Sequence, residues 1–311
     1  MSSSLITRPL SLGELLDVTF RVYRKHFWRL VLTAGGLIIP IQIIGGLLNA
    51  WNYAHYAVFP TLFQNGGAGI SPQTPAWLAF LQIVVGLLSG FLTIVTSAAV
   101  LWLANRLLLG EAPGVIDSWR AGLRYFWRYM GLTILLGLMM LLVMLALSIA
   151  LIIPCLGVLI LLAGLVIVFY GFVRLVLSIV ILFADDVGPI DAIKRAWHVS
   201  RNQFWRIAIY GLLLWLLALV FYLGPILFIQ SQLLRPDAIE YIALLSFIIT
   251  IVAAILNTLW TPLYMTGLTA LYHELRLRTD PGKLLENRIA EFEAQTAISE
   301  PTEETTAATE E

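Results

Sequence analysis

A chain of 311 residues in which 59% are hydrophobic and only 12% charged lies far from soluble domains, where about 25% of residues are charged. Lipid must be the solvent for most of it. The formal net charge is zero but the charges are segregated, so net charge says nothing about partners; no nucleic-acid partner is expected, and the single cysteine, Cys155, excludes a disulfide framework and a thiolate metal site.

Residues 1–27 are polar or amphipathic and lack the apolar core of a signal peptide, so the first spanning helix is expected to direct insertion. Within them SLGELLDVTFRVYRKHFWRL, Ser11 to Leu30, opens on a capping box, Ser11 with Glu14 three residues on. Apolar runs follow at about 28–49, 77–104, 130–153, 155–183, 205–232 and 240–271. Each is long enough for the roughly 20 helical residues that cross a bilayer, which predicts six transmembrane helices. The stretch from Trp51 to Trp77 carries no lysine or arginine and is rich in aromatics, glycine and proline, the composition of a connector lying against the outer interface. Between the third and fourth runs the sequence IIPCLG around Pro154 reads as a tight hairpin.

Two further segments repeat the pattern of the first. GVIDSWRAGLRYFWRYM spans Gly114 to Met130, and VGPIDAIKRAWHVSRNQFWRI spans residues 187–207, with Pro189 and Asp191 suited to a helix start. All three carry Phe-Trp-Arg, at residues 27–29, 126–128 and 204–206, and an aromatic seven residues before each phenylalanine: Phe20, Trp119 and Trp197. Seven residues are two helical turns, so these aromatics share a face. The expectation is an all-α integral membrane fold with six transmembrane helices and three cytoplasmic interfacial amphipathic helices, about 11–27, 114–128 and 188–204, in a threefold internal repeat. Lysine and arginine gather beside these segments and at Arg276 and Arg278, while the opposite loops hold only Arg235. That asymmetry puts both termini on the cytoplasmic side. The membrane domain covers 1–280; residues 281–311 read as a short helix and an acidic, disordered tail.

Catalytic signatures are missing. His273 and Glu274 begin an HExxH pattern, but Leu277 stands where the second histidine belongs. GxSxG, Walker A and dinucleotide fingerprints do not occur, and no cofactor or metal is expected. Asp185 and Asp186 read as a helix cap or turn. Arg174 lies about ten residues, or roughly 15 Å, inside the end of the fourth run, with no acidic residue in any predicted span to pair with it. Three outcomes are open: the helix breaks near Tyr170 and Gly171 and frees the arginine at the surface, the side chain snorkels, or it faces a wet cavity and holds an anion. Candidate ligand residues for the last are Arg174, Gln42, Asn105 and Asn257. Gln82, Thr93 and Thr96 could join them, or all could serve as interhelical hydrogen-bond glue. Candidate interfacial residues for lipid or a partner are Trp28, Arg29, Trp119, Arg120, Arg124, Trp127, Arg128, Lys194, Arg195, Trp197, Trp205 and Arg206.

Residues Arg174 to Arg206, RLVLSIVILFADDVGPIDAIKRAWHVSRNQFWR, resemble the signature of the glycerophosphoryl diester phosphodiesterase membrane-domain family and related bacterial integral membrane proteins. The opening Arg8 to Leu30 and the exit LYHELRLRTD, Leu271 to Asp280, are similar to that family's two ends. The resemblance implies a six-helix domain of the bacterial cytoplasmic membrane. In some members it precedes a soluble phosphodiesterase domain, for which this chain has no room, so no enzymatic activity is carried over. The expected function is a non-enzymatic membrane scaffold or accessory domain that organises lipid or a protein partner on the cytoplasmic face. The alternative is a transporter or permease for a small anionic or amphiphilic substrate, using a cavity near Arg174.

Overall fold

The computed structural model describes residues 6, 8–56, 74–150, 156–232 and 241–279. The expected outer connector, the hairpin with Cys155, Arg235 and the tail after Thr279 fall largely or wholly outside them. All secondary structure among the described residues is helical: α1 Leu12–Lys25, α2 Phe27–Gly35, α3 Ile38–Tyr56, α4 Ala76–Leu108, α5 Val115–Ala150, α6 Leu156–Leu175, α7 Ser178–Ala184, α8 Pro189–Val199, α9 Phe204–Ala218, a π-helical turn Leu219–Leu223, α10 Gly224–Gln232 and α11 Ile242–Thr279. Five stretches are long and apolar enough to cross a membrane: Ala76–Leu108, Val115–Ile149, Leu162–Ala184, Phe204–Gln232 and Ile242–Thr279. A sixth is α2 with α3, taken as one span bent by 43°. The chain is a multi-pass membrane protein.

Local rules account for the starts of α1 and α8. Ser11 caps α1: its Oγ accepts from the Glu14 N–H at 3.3 Å, while its own N–H donates to Glu14 Oε2 at 2.7 Å. These bonds from Ser11, with Arg8 beside it, hold the exposed Glu14 carboxyl below its ordinary range. Pro189 opens α8 behind Gly188, with Asp191 in the first turn. Gly224 and Pro225 cannot continue a regular helix, because proline lacks the N–H and clashes one turn back. The chain inserts a π-helical turn just ahead of them and continues.

Burial divides the bundle into two halves. In α4 the run from Val95 to Leu108 is largely buried, whereas Trp77, Phe80, Leu81, Ile83, Val84, Leu87 and Leu88 are exposed. α11 repeats this in reverse, exposing Leu244, Ile248 and Ile255 and burying most of Pro262–Leu277, and α5 exposes Ile134 through Ile149. Leu15 and Val22 of α1, Leu177 to Phe183, Ala192 and Ala196 of α8, and Ile207, Tyr210 and Leu214 of α9 complete one core at the closed end. An exposed surface of Leu, Ile, Phe and Val on the other half is what lipid covers, and packing there gains no hydrophobic term. Burial at the closed end holds the helix termini together.

Two polar contacts fasten α1 to that core. Thr19 and Tyr210, both fully buried, share a hydrogen bond at 3.1 Å, and Tyr23 donates to the Leu259 carbonyl at 3.0 Å. Leu10, ahead of α1, accepts a bond from Arg278 near the end of α11. The described chain therefore begins and ends at the same end of the bundle.

The three predicted interfacial segments fare differently. α1 and α8 are separate helices, but they stop at Lys25 and Val199, short of the expected 27 and 204. Phe27 and Phe204 begin the next helix in each case, after His26 at φ −117°, ψ 24° and Gln203 at φ −123°, ψ 18°. The second segment, expected at 114–128 as a helix of its own, is continuous with the span that follows in α5. That helix is 36 residues long, about 54 Å. Within it Gly122 packs closely on α4: a Cβ there would sit 2.4 Å from the Val95 carbonyl oxygen and 3.0 Å from Ala99 Cβ, so glycine lets α5 lie directly on α4.

Candidate functional site

The candidate site is the closed end, where the Phe-Trp-Arg motifs sit. Trp28, Trp127 and Trp205 are 71%, 73% and 75% exposed. Each preceding phenylalanine packs on a ring from another part of the fold or the preceding helix: Phe27 on Tyr23 at 5.5 Å, Phe126 on Phe91 at 4.8 Å and Phe204 on Tyr170 at 5.0 Å.

The three arginines each reach a chain connection, Arg29 and Arg128 from exposed positions and Arg206 from a largely enclosed one. Arg29 donates to the Ala112 carbonyl at 2.7 Å, in the link between α4 and α5. Arg128 pairs with Asp186 at 2.6 Å, in the link between α7 and α8. Arg206 bonds the Leu10 carbonyl just before α1, and holds Glu274 of α11 through Nε at 3.0 Å and Nη2 at 2.9 Å. Each motif thus grips the segment leading into another motif's helix: first to second, second to third, third to first. Asp186 adopts φ 50°, the left-handed region that Asp tolerates better than most residues. The Arg128 pair holds it there.

Glu274 is fully buried and takes a second cation, Arg278. A buried carboxylate is stable only when paired and hydrogen-bonded, and two guanidinium groups meet that need. Its neighbour His273 is bonded through Nε2 to Asn105 Oδ1 at 2.7 Å. Both residues of the truncated HExxH pattern are thus engaged within the fold, and among the described residues no group of three His, Cys, Asp or Glu side chains could hold a metal.

Asp185, at the C-terminal end of α7, is a second hub. Its Oδ2 accepts from Arg195 at 2.8 Å, and its Oδ1 from the Tyr272 hydroxyl at 3.0 Å and Arg276 at 3.2 Å. The adjacent aspartates therefore close a turn and divide three arginines between them, Asp185 taking Arg195 and Arg276 and Asp186 taking Arg128.

Arg174 follows none of the three expected courses in full. The helix is interrupted after it, at residues 176–177, and α7 continues as the same candidate span. The side chain is only 6% exposed, with its guanidinium carbon 4.5 Å from the Tyr170 ring centroid and 4.4 Å from that of Trp197. No carboxylate pairs with it among the described residues, and Nε has no hydrogen-bond partner. Two aromatic faces replace the missing anion. Because Tyr170 also packs on Phe204, Arg174 lies near the level of the third Phe-Trp-Arg motif. The residues after it, including Leu177 to Phe183, belong to the buried closed-end core.

The other candidate ligand residues are engaged elsewhere: Gln42 with Ser89 at 3.3 Å, Asn105 with His273, and Asn257 with Thr261 at 2.9 Å. Thr93 and Thr96 bond back to carbonyls one turn earlier, and Gln82 reaches Asn49. A crevice of ≈390 Å³ does lie between α5, α6 and α7 beside Trp197, but Met139, Met140, Val143, Ile167, Phe172 and Leu175 line it. None of the four candidate residues does. Among the interfacial candidates, Arg120 reaches Asp117 only at 3.7 Å, Arg124 and Lys194 are exposed without an ion pair among the described residues, and Trp119 donates inward to the Thr33 carbonyl at 3.0 Å.

No family model, curated protein or solved structure matches the chain.

Proposed function

We propose that the chain is a non-enzymatic scaffold or accessory domain of the bacterial cytoplasmic membrane, whose closed end organises anionic lipid or a protein partner on the cytoplasmic face. The observation that carries this reading is the belt of Trp28, Trp127 and Trp205, each more than two-thirds exposed and each followed by an arginine turned to the protein's own connections. Exposed tryptophan at the start of an apolar stretch anchors the bundle at the interface. Exposed cations such as Arg120, Arg124 and Lys194 are left for anionic headgroups, each contributing about 1 kcal/mol near a charged surface.

The same reading takes α1 and α8 as interfacial amphipathic helices, and the cyclic grip of the three arginines as the sign of a threefold repeat. Leu10 meeting Arg278 supports an even number of crossings, hence six, with both ends on the cytoplasmic side. The family resemblance is part of this proposal. The apolar lining of the crevice beside Trp197 favours lipid contact over transport of a small anion.

Native mass spectrometry of the full chain, after exchange into mixed phosphatidylethanolamine and phosphatidylglycerol, tests the reading. Phosphatidylglycerol should be retained in preference, and Arg120→Glu with Arg124→Glu should reduce that preference. Unchanged retention at low salt would remove the reading.

A further inference from the structure

A second crevice of ≈310 Å³ opens at the closed end between α8 and the last turns of α11, with Asp185, Lys194, Arg195, His198, Tyr272 and Arg276 on its lining. Its character is the opposite of the apolar one. Three permanent cations face one carboxylate, a surplus of two positive charges, and the carboxylate is already committed. Asp185 engages one nitrogen of each guanidinium and the tyrosine hydroxyl. A guanidinium has five N–H donors, so most of those on Arg195 and Arg276 are left over, and Lys194 has no ion pair among the described residues. Asp185 thus works as a brace. It fixes two guanidinium groups from different helices in one place, and its own acceptors are too crowded with cations to take a metal.

We propose that this crevice binds a phosphoryl dianion, carried either by a small soluble phosphate or by a lipid headgroup. A surplus of two charges matches a phosphate monoester, and the braced guanidinium pair offers the planar donors that recognise phosphate oxygens, with Lys194 as a mobile point charge. The site shares Lys194 with the lipid-belt reading but none of the residues that test it: Arg120 and Arg124 lie outside the crevice.

The experiment uses the full chain in phosphatidylcholine nanodiscs, titrated with inorganic phosphate by calorimetry, and in discs doped with phosphatidic acid, read by native mass spectrometry. Lys194→Gln, an exposed change outside the core, and Arg276→Gln are expected to weaken binding about tenfold each, while Arg21→Gln on α1 leaves it unchanged. Binding of inorganic phosphate that falls in both crevice variants supports the soluble source. Retention of phosphatidic acid alone, lost in the same variants, supports the headgroup source. The proposal is overturned if neither probe binds, or if binding is indifferent to Lys194→Gln and Arg276→Gln.

Discussion

Glu274→Gln isolates the interaction that ties α11 to α9. The glutamate is fully buried and faces Arg206, 18% exposed at its side chain, and Arg278, 32% exposed. Glutamine preserves the volume but removes the charge and turns an N–H donor toward a guanidinium. Removing one partner of a buried pair costs about 3–5 kcal/mol. Both arginines retain some access to water, and a rehydrated cation costs less than a sealed one, so the low end, ~3 kcal/mol, is expected. At roughly 2 °C per kcal/mol for a chain of this size, the unfolding midpoint should fall by about 6 °C.

Thermal unfolding of the full chain in nanodiscs, followed by tryptophan fluorescence, measures this directly. Arg8→Ala, which breaks an exposed pair with Glu14, provides the scale of a surface contact, about 0.2–1 kcal/mol. A Glu274→Gln midpoint shift no larger than that of Arg8→Ala would refute the reasoning. Replacing both partners, Glu274→Leu with Arg206→Met, should recover much of the loss, because the penalty comes from the orphaned charge.

Gly122→Val should separate α5 from α4, since the added carbons have 2.4 Å to the Val95 carbonyl oxygen; a loss of about 1–3 kcal/mol by overpacking is expected in the same assay. Arg174→Leu should leave stability within about 1 kcal/mol of wild type, because the cation has no carboxylate to orphan and two ring contacts of modest strength to lose. Trp197→Ala should cost more, by uncovering that cation. The His26 ring is held below its ordinary pKa by burial, then by Lys25 and Arg29. The unfolded chain therefore takes up the proton first as pH falls, and the stability present above about pH 6.5 is lost below it. Melting at pH 7.5 and 5.5 should show the drop, and His26→Gln should reduce it.

The spans were legible because their signal is one-dimensional: a run of apolar residues of sufficient length has few alternatives in lipid. The capping box at Ser11 and the helix start at Pro189 were legible for a similar reason, since each is set within four residues of sequence. What escaped reading depends on neighbours from elsewhere in the chain. The same motif is broken at His26 and continuous through Tyr125, and the second segment's close packing of Gly122 on the Val95 carbonyl of α4 is not written in the motif. The burial of Glu274 depends on an arginine 68 residues away in sequence. Gln42, Asn105 and Asn257 looked alike as polar residues in apolar runs, yet hydrogen-bond partners one turn away or across the bundle decide what each does.

The arginines of the three motifs illustrate how position outweighs residue type. In each motif the tryptophan and arginine are adjacent, so a helix turns them about 100° apart, and one cannot face lipid without the other facing inward or along the interface. Given that the tryptophan is the exposed member in all three cases, the arginine is delivered to the connection beside it, and the targets are Ala112, Asp186 and Leu10. A carbonyl suffices where the arginine stays near water, as for Arg29, which is exposed. Where the side chain is largely enclosed, as for Arg206, a carbonyl is not enough to offset desolvation, and a carboxylate is required. Glu274 occupies that place, which is why the most deeply buried acid of the described chain lies opposite the most enclosed of the three motif arginines.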